Sequence, residues 1–456
     1  MLWADSNPAP AAPAASSENK LRPQDRAVHH WYRFVLSFPP HLVQNYLNRF
    51  DIEPGDTVLD PFCGTGTTLV ECKKQGVGSA GLESNPIAHF ASAVKVDWLT
   101  SSETLVSEAE QVARAATKKI LNERAGCEEN ARLLEADGKP SLFDEGAVAN
   151  GADAGLRRLQ PEQMKLLLKD SISPLPLHKT LALLEVIDGC SSAPLRRYGR
   201  LALANALVQR IGNLKFGPEV GVGRIRGDAP VVEAWLAGMK TIAHDLAQFG
   251  HRSTVASQVI KSDARQADEA LERRSIDAVI TSPPYPNEKD YTRTTRLESV
   301  VLGLVRSRAE LRQLKQGLVR SNTRGVYVAD TDDQAIAGNQ AIDRIAEAIE
   351  QRRIELGKTS GFERQYARVT RLYFGGMAQH FASLREVLKP GAKLAYVVGD
   401  QASYLRVMIR TGQLLAEIAE SLGYRILGID LFRTRPSTVT GEQLREEVIV
   451  MEWPGK

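Results

Sequence analysis

Short apolar runs alternate with amphipathic stretches along much of this chain, and their spacing predicts an order of strands and helices. Seven runs have the length and apolar content of buried strands, at 57–59, 78–82, 255–260, 276–280, 392–398, 424–430 and 446–451. Helical spacing predicts helices around 42–50 and at 67–75, 86–94, 362–388 and 403–422. Seven strands alternating with helices in this order predict an α/β fold with a doubly wound sheet.

Two long segments interrupt the alternation. Residues 97–254 show mainly helical patterns, including a helix expected to have Asp228 as its N-cap and to end at Gly250. Between Gly126 and Gly155 the composition is small and polar, which predicts a mobile linker. Residues 286–361 form a second interruption, and both are too long to be connections within a sheet. The predicted organisation is a disordered tail rich in Ala, Pro and Ser at 1–25, a discontinuous catalytic domain at 26–96 and 255–456, a helical insertion at 97–254, and a second insertion at 286–361.

Two loops at the ends of predicted strands carry the chemistry. The first, DPFCGTGTT at 60–68, is a glycine-rich turn between a strand and a helix, the place where open α/β sheets bind cofactors. The second, TSPPY at 281–285, follows the fourth strand, and its prolines fix φ and remove two backbone donors. It could be a turn that merely ends a strand. As a site it suits a planar group with an amine, because its hydroxyl and carbonyl oxygens can accept N–H bonds.

Together, the segments at 60–68 and 281–285 resemble the DNA amino-methyltransferases that use S-adenosylmethionine to methylate exocyclic amines of cytosine or adenine. The resemblance implies a class I methyltransferase-like sheet with mainly helical insertions and an antiparallel last strand. It implies S-adenosylmethionine as the cofactor and double-stranded DNA as the partner. In the glycine loop it implies that the cofactor contacts Asp60, Pro61, Phe62, Gly64, Gly66, Thr67 and Thr68.

Three more positions are candidates for the cofactor site. Glu83 ends the second strand, where an acid can accept hydrogen bonds from both ribose hydroxyls, although it could also be a solvated residue at a strand end. The resemblance implies that Asp263, just after the third strand, accepts a bond from the adenine amine. It also implies that Phe38, beside Pro39, closes over the methionine end of the cofactor. The alternative is that the aromatic segment around Phe38 is a helix that only packs on the sheet.

The second loop suggests how an exocyclic amine could react. Ring delocalisation makes such an amine a poor nucleophile, and acceptors that hold its N–H bonds restore lone-pair density on nitrogen. Ser282 Oγ and the Pro283 carbonyl are the expected acceptors, Pro284 keeps the loop rigid, and Tyr285 stacks on a base that has left the duplex. In the family, serine at the first position goes mostly with N4 of cytosine, and aspartate or asparagine with N6 of adenine. We therefore predict cytosine N4, with adenine N6 as the alternative.

Composition and charge describe an ordinary globular protein. The chain is 43% hydrophobic and 25% charged, and its net charge of +3 gives no whole-molecule argument for nucleic acid. Local excesses of Lys and Arg occur at 195–226 and 291–324, which suit phosphate contacts or simply a solvated helical face. Arg293 and Arg296 directly follow the second loop and are the predicted DNA contacts. A cognate restriction endonuclease is a candidate partner.

Several classes of protein are disfavoured. The four cysteines form no C-x-x-C pair and no zinc-like cluster, so no metal site is predicted and a cytoplasmic location fits. The N-terminus lacks the features of a secretory signal, and no apolar run approaches the roughly 20 residues that cross a membrane. An RNA guanine-N2 methyltransferase is an alternative, although such enzymes usually carry a large RNA-binding domain ahead of the glycine loop. A non-catalytic nucleic-acid-binding protein is a further alternative, but both motifs are complete.

Overall fold

A seven-stranded sheet forms the centre of the computed structural model, which describes residues 21–32, 37–136, 155–217, 219–287, 289–436 and 443–455. The strands are β1 Thr57–Asp60, β2 Gly78–Leu82, β3 Leu214–Lys215, β4 Gly221–Val222, β5 Ser257–Ile260, β6 Ile276–Thr281, β7 Leu388–Gly399, β8 Arg425–Pro436 and β9 Gln443–Glu452. The large sheet has the order β5-β2-β1-β6-β7-β9-β8, and β3 and β4 form a separate small hairpin.

The strand directions confirm the predicted fold class. The pairs β1–β2, β1–β6, β2–β5 and β6–β7 are parallel, whereas β9 is antiparallel to both β7 and β8. The last strand is therefore the antiparallel one, as expected. The sheet is mostly parallel and carries helices, which makes it an α/β sheet of the class I methyltransferase type.

Fifteen α-helices surround or extend the sheet within the described ranges. They are α1 Pro40–Arg49, α2 Thr67–Gln75, α3 Pro86–Lys95, α4 Ser102–Ala136, α5 Pro161–Met164, α6 Pro174–Asp188, α7 Ala193–Ala206, α8 Val231–Phe249, α9 Ala267–Ala270, α10 Tyr291–Thr294, α11 Arg296–Val301, α12 Arg308–Gln316, α13 Gln340–Glu355, α14 Tyr366–Leu384 and α15 Thr411–Ser421. Helix α2 has the predicted bounds, and Gly76 ends it with φ +82°.

The first insertion is mainly helical, and its apolar side chains belong to a cluster that extends beyond it. Helices α4, α6, α7 and α8 pack on one another, with Trp98, Leu183, Tyr198, Trp235 and Ile242 buried between them. The same cluster continues to α3 at the side of the sheet. Burial of these apolar side chains accounts for the helical pattern that the sequence shows in this region.

Three predicted helix boundaries are wrong. Helix α14 stops at Leu384, and Leu388 already belongs to β7, where Gly391 with φ +86° lies in an irregular stretch of the strand. The predicted helix 403–422 begins only at Thr411. Asp228 is not the N-cap of α8; Pro230 is, and the Asp228 carboxylate instead pairs with Lys179.

The ends of the predicted tail and linker also differ from expectation. Residues 1–20 lie outside the described residues, but Pro23–Asp25 form a 3-10 helix and the Asp25 side chain is buried, so they are ordered. A linker of small and polar residues was expected between Gly126 and Gly155. Helix α4 instead continues to Ala136, and 137–154 lie outside the described residues.

Candidate active site

Buried hydrogen bonds join the two loops at the carboxyl edge of the sheet. Thr281 Oγ1, at the end of β6, donates to Asp60 Oδ1 at 2.6 Å. Thr68 Oγ1, in the first turn of α2, donates to the Ile280 carbonyl at 2.9 Å. Because β1 and β6 are parallel neighbours, their following loops open toward the same side.

A cavity of about 790 Å³ lies between the two loops. Residues 37–39, the ends of β2 and β5, and parts of the second insertion complete its wall. The structure brings most of the predicted residues to this cavity. Those that line it are Phe38, Pro61, Phe62, Gly64, Thr67, Glu83, Asp263, Ser282, Pro283, Pro284 and Tyr285.

Glu83 is held by the backbone of both adjoining loops. Its Oε2 accepts from Gly64 N at 2.8 Å, and its Oε1 accepts from Asn85 N at 2.7 Å. Burial raises the pKa of Glu83 to about 7, and the nearby Asp60 carboxylate also raises it. A carboxylate oxygen can accept more than one bond, so both oxygens can still receive hydroxyl donors from a ligand in the cavity.

Asp263 lines the cavity, and its carboxylate also forms an ion pair with Arg265. Its Oδ1 accepts from Arg265 N at 3.0 Å, and the Arg265 guanidinium donates to both carboxylate oxygens. Arg265 also donates to Asp332 at 2.6 Å, which ties this acid to the second insertion. The predicted acceptor of the adenine amine is therefore fixed in place by an ion pair.

Three predicted cofactor residues do not line the cavity. The Asp60 carboxylate turns back into the sheet, where it accepts from Thr281 and from Phe62 N at 3.1 Å. Gly66 has φ +82°, and a Cβ there would approach Ser92 Cβ to 3.0 Å, so this glycine allows close packing of α2 on α3. The Thr68 hydroxyl is engaged by β6. The cofactor contacts predicted for these three residues stay predictions.

The hydroxyl of Ser282 has a fixed direction. Its Oγ donates to the Val397 carbonyl at 3.1 Å, across from β6 to β7. A carbonyl oxygen can only accept, so the serine must be the donor. The ring of Tyr285 packs beside the backbone of Gly399, where a Cβ would lie 3.0 Å from Tyr285 Cε2. The loop thus rests on the end of β7.

The second insertion supplies a cavity wall that the sequence motifs did not reveal. Lys289, Asp290, Lys315, Arg320 and Asn322 all line the cavity. Lys315 Nζ pairs with Asp290 Oδ2 at 2.8 Å. Charged residues scattered over more than thirty positions form no recognisable pattern, and only the excess of basic residues in this region hinted at their role.

The two predicted DNA-contacting arginines do not line the cavity. Arg293 lies 3.6 Å from Glu219, whereas the Arg296 guanidinium donates to the carbonyl and the hydroxyl of Thr292, both at 3.0 Å. Burial lowers the pKa of Arg296. Arg296 therefore ties the start of α11 to α10. Of the two arginines, only Arg293 is held by a salt bridge that a ligand could replace.

The cavity has the features that S-adenosylmethionine needs. Its volume of about 790 Å³ accommodates a nucleoside with its amino-acid tail, Gly64 with φ +51° permits close backbone approach, and Glu83 faces it with a carboxylate. No group of three or more metal-ligating side chains occurs among the described residues. Within the same ranges, no helix has both the length and the apolar character of a membrane span.

Comparison with known proteins agrees with this geometry. A family model described as DNA methylase matches residues 9–92. The Type II methyltransferase M.BsoBI of Geobacillus stearothermophilus is 26% identical over 472 residues, covering 94% of this chain and 86% of the relative. The Type II methyltransferase M.AvaI of Nostoc sp. (strain PCC 7120) is 25% identical over 428 residues, covering 90% of this chain and 80% of the relative.

A shorter match adds to these. The Type II methyltransferase M.MjaII of Methanocaldococcus jannaschii is 39% identical over 70 residues, which is 15% of this chain and 13% of the relative. The joined loops, the class I sheet and these relatives lead to one family. The chain is an S-adenosylmethionine-dependent DNA amino-methyltransferase of the N4/N6 family, with S-adenosylmethionine as its methyl donor.

Proposed function

We propose that the protein methylates the exocyclic N4 amine of a cytosine that has left the DNA duplex. The observation that carries this proposal is the hydrogen bond from Ser282 Oγ to the Val397 carbonyl. A serine hydroxyl has one donor and two acceptor lone pairs, and its donor is used by β7. While this bond is kept, Ser282 acts only as an acceptor toward a base in the cavity, which is what an amine requires.

The acceptor role explains how the amine becomes reactive. The nitrogen lone pair is delocalised into the ring of the base, and an acceptor that draws an N–H bond out of the ring plane returns density to nitrogen. Ser282 Oγ and the Pro283 carbonyl are the proposed acceptors. Pro284 restricts the loop, and Tyr285, braced against Gly399, offers its ring for stacking.

The bound cofactor supplies a methyl group that is already activated by its sulfonium. The chain itself supplies positioning and electrostatics. Glu83 is proposed to accept from the ribose hydroxyls, Asp263 from the adenine amine, and Phe38 to cover the methionine end. Pro61, Phe62, Gly64 and Thr67 form the remaining wall of this half of the cavity.

The choice of cytosine rests on Ser282, because serine before Pro-Pro-Tyr goes mostly with cytosine N4 in the resembling family. Adenine N6 is the second candidate, since the cavity of about 790 Å³ does not by its size reject a purine.

The relatives that match over most of this chain are named Type II methyltransferases. We propose accordingly that the substrate is double-stranded DNA within a restriction–modification pair, with a cognate endonuclease as the functional partner.

Nucleoside analysis tests the proposal. Duplex DNA is incubated with the pure protein and methyl-labelled S-adenosylmethionine, then digested to nucleosides and separated. The proposal predicts label in N4-methylcytosine. Label in N6-methyladenine would agree with the proposed site but reject cytosine as the target base. Label confined to an RNA substrate would reject DNA as the target.

A further inference from the structure

A single acidic residue reaches the cavity from an otherwise basic part of the first insertion. Glu219 lies in the loop of the β3–β4 hairpin and contributes to the cavity wall. It is the only Asp or Glu between residues 195 and 226, a segment with seven Lys and Arg residues. An acid at this position needs an explanation, because DNA carries negative charge.

Glu219 lies between two arginines of the second insertion. Its Oε2 is 3.6 Å from Arg293 Nη1, and its Oε1 is 3.7 Å from Arg324 Nη2. Each carboxylate oxygen thus faces a different guanidinium. Without an anion between them, the two positive groups would repel each other.

The three side chains remain accessible to solvent. Their side-chain exposed fractions are 59% for Glu219, 36% for Arg293 and 29% for Arg324. Exposed ion pairs at such distances contribute little to stability and are exchanged readily. The Arg324 guanidinium also lies 5.6 Å from the centre of the Phe362 ring, which holds it near this position without an acid.

The location fits a strand of DNA that delivers a base to the cavity. Arg293 follows the catalytic loop in α10, and Arg324 follows Asn322, which lines the cavity. Lys215 in β3 and Arg224, which lies two residues after β4, are exposed and add positive charge. A phosphate oxygen pair can replace a carboxylate between two guanidinium groups, because both anions accept from the fork of an arginine.

We propose that Arg293 and Arg324 form a binding site for a DNA backbone phosphate at the rim of the catalytic cavity, and that Glu219 occupies this site until DNA displaces it. The inference rests on the proposed DNA substrate. Glu219 then acts as an internal competitor: it keeps the two arginines in place in the free enzyme and lowers the affinity for DNA.

The test is a cycle of DNA-binding measurements. Fluorescence anisotropy of a short labelled duplex, with S-adenosylhomocysteine present to prevent turnover, gives the Kd of each variant. Glu219→Gln removes the charge with little change of shape. We expect it to tighten binding by about two- to tenfold at low salt, the size expected for losing two exposed ion pairs. Glu347→Gln is the matched control, because Glu347 is exposed on α13 and does not line the cavity.

A double variant without the two arginines shows whether Glu219 competes with DNA for them or only makes a surface contact. In Arg293→Gln/Arg324→Gln, binding should weaken, and adding Glu219→Gln should then change the Kd no more than the control does. The inference is overturned if Glu219→Gln leaves the wild-type Kd unchanged or weakens it, or if its effect persists without the two arginines. Methylation of DNA by the wild-type protein is measured separately, so failure of the proposed function and failure of this inference give different results.

Discussion

The hydroxyl of Thr281 donates a 2.6 Å hydrogen bond to Asp60 Oδ1, and both side chains are fully buried. Each residue ends a central strand, and each begins one of the two loops that line the cavity. Burial raises the pKa of Asp60 to about 6, while the hydrogen bond from Thr281 acts to lower it. Together with the bond from Thr68 to the Ile280 carbonyl, this contact fixes the glycine-rich loop relative to the Ser-Pro-Pro-Tyr loop.

Replacing this donor should loosen both loops. In Thr281→Val the buried Asp60 carboxylate loses a hydrogen-bond donor. We expect the free energy of unfolding to fall by about 1–3 kcal/mol, as for other buried polar groups that lose a partner. The loss should be larger well above pH 6, where Asp60 is ionised, than below it. Urea denaturation followed by circular dichroism at the two pH values measures the change.

The control for this variant is Thr241→Val. Thr241 donates only to the Ala237 carbonyl one turn earlier in α8, so its loss should alter the urea midpoint little. Equal midpoints for the two variants at high pH would contradict the role given to the Thr281–Asp60 bond.

Cofactor binding should depend on pH through Glu83. Its pKa in the free enzyme is raised to about 7, and ribose hydroxyls donate to the ionised form. Binding therefore lowers this pKa, so affinity is highest above pH 7 and falls as the pH drops through 7, by at most about tenfold per unit. Calorimetric titration of S-adenosylmethionine across this range gives the profile.

Glu83→Gln isolates the contribution of this carboxylate. The amide keeps the shape but cannot ionise, so the variant should bind the cofactor more weakly above pH 7 and show a flatter profile than the wild type. If cofactor affinity depends on pH in the same way in the wild type and the variant, another group controls this dependence. The proposed hydrogen bonds from the ribose hydroxyls to Glu83 would then be rejected.

A methyl group at Gly399 should displace the ring of Tyr285. The Cβ in Gly399→Ala would lie 3.0 Å from Tyr285 Cε2, tighter than normal contact, so the ring must move. Misplacement of a stacking ring predicts a fall in kcat of roughly ten- to a hundredfold with little change in cofactor affinity. Steady-state kinetics and cofactor titration separate the two quantities.

Gly428→Ala is the matched control for this substitution. Gly428 also lies in the large sheet, in β8, and nothing stands within 4 Å of a Cβ built there. It should keep wild-type kcat. A normal kcat in Gly399→Ala as well would mean that the position of the Tyr285 ring does not limit methyl transfer.

The sheet and the two loops were predictable because they follow from local patterns. Strand β2 and helix α2 have the predicted bounds, since apolar runs and the glycine stop at Gly76 act over a few residues. The edge of the sheet shared by both loops follows from the order of strands and helices. These features place Ser282 and Glu83 in one cavity.

Long-range contacts account for what the sequence could not predict. The helix pattern at 362–388 continues into residues that pair with β6 instead, because the pairing of Leu388 with Ile276 overrides local preference. Asp60 and Thr68 point away from the cavity for the same kind of reason, because their partners lie more than two hundred residues away. The Glu219 contacts with the second insertion also depend on packing between distant segments.

The most direct test of the central claim is single-turnover methyl transfer by Ser282→Ala. With DNA and labelled S-adenosylmethionine both saturating, the rate of transfer should fall about ten- to a hundredfold, corresponding to the loss of one buried acceptor, whereas the Kd of the cofactor stays unchanged. Ser360→Ala, which changes an exposed serine outside the cavity, should behave as wild type. A wild-type transfer rate in Ser282→Ala would remove the serine hydroxyl from the reaction and contradict the account of how the amine is activated.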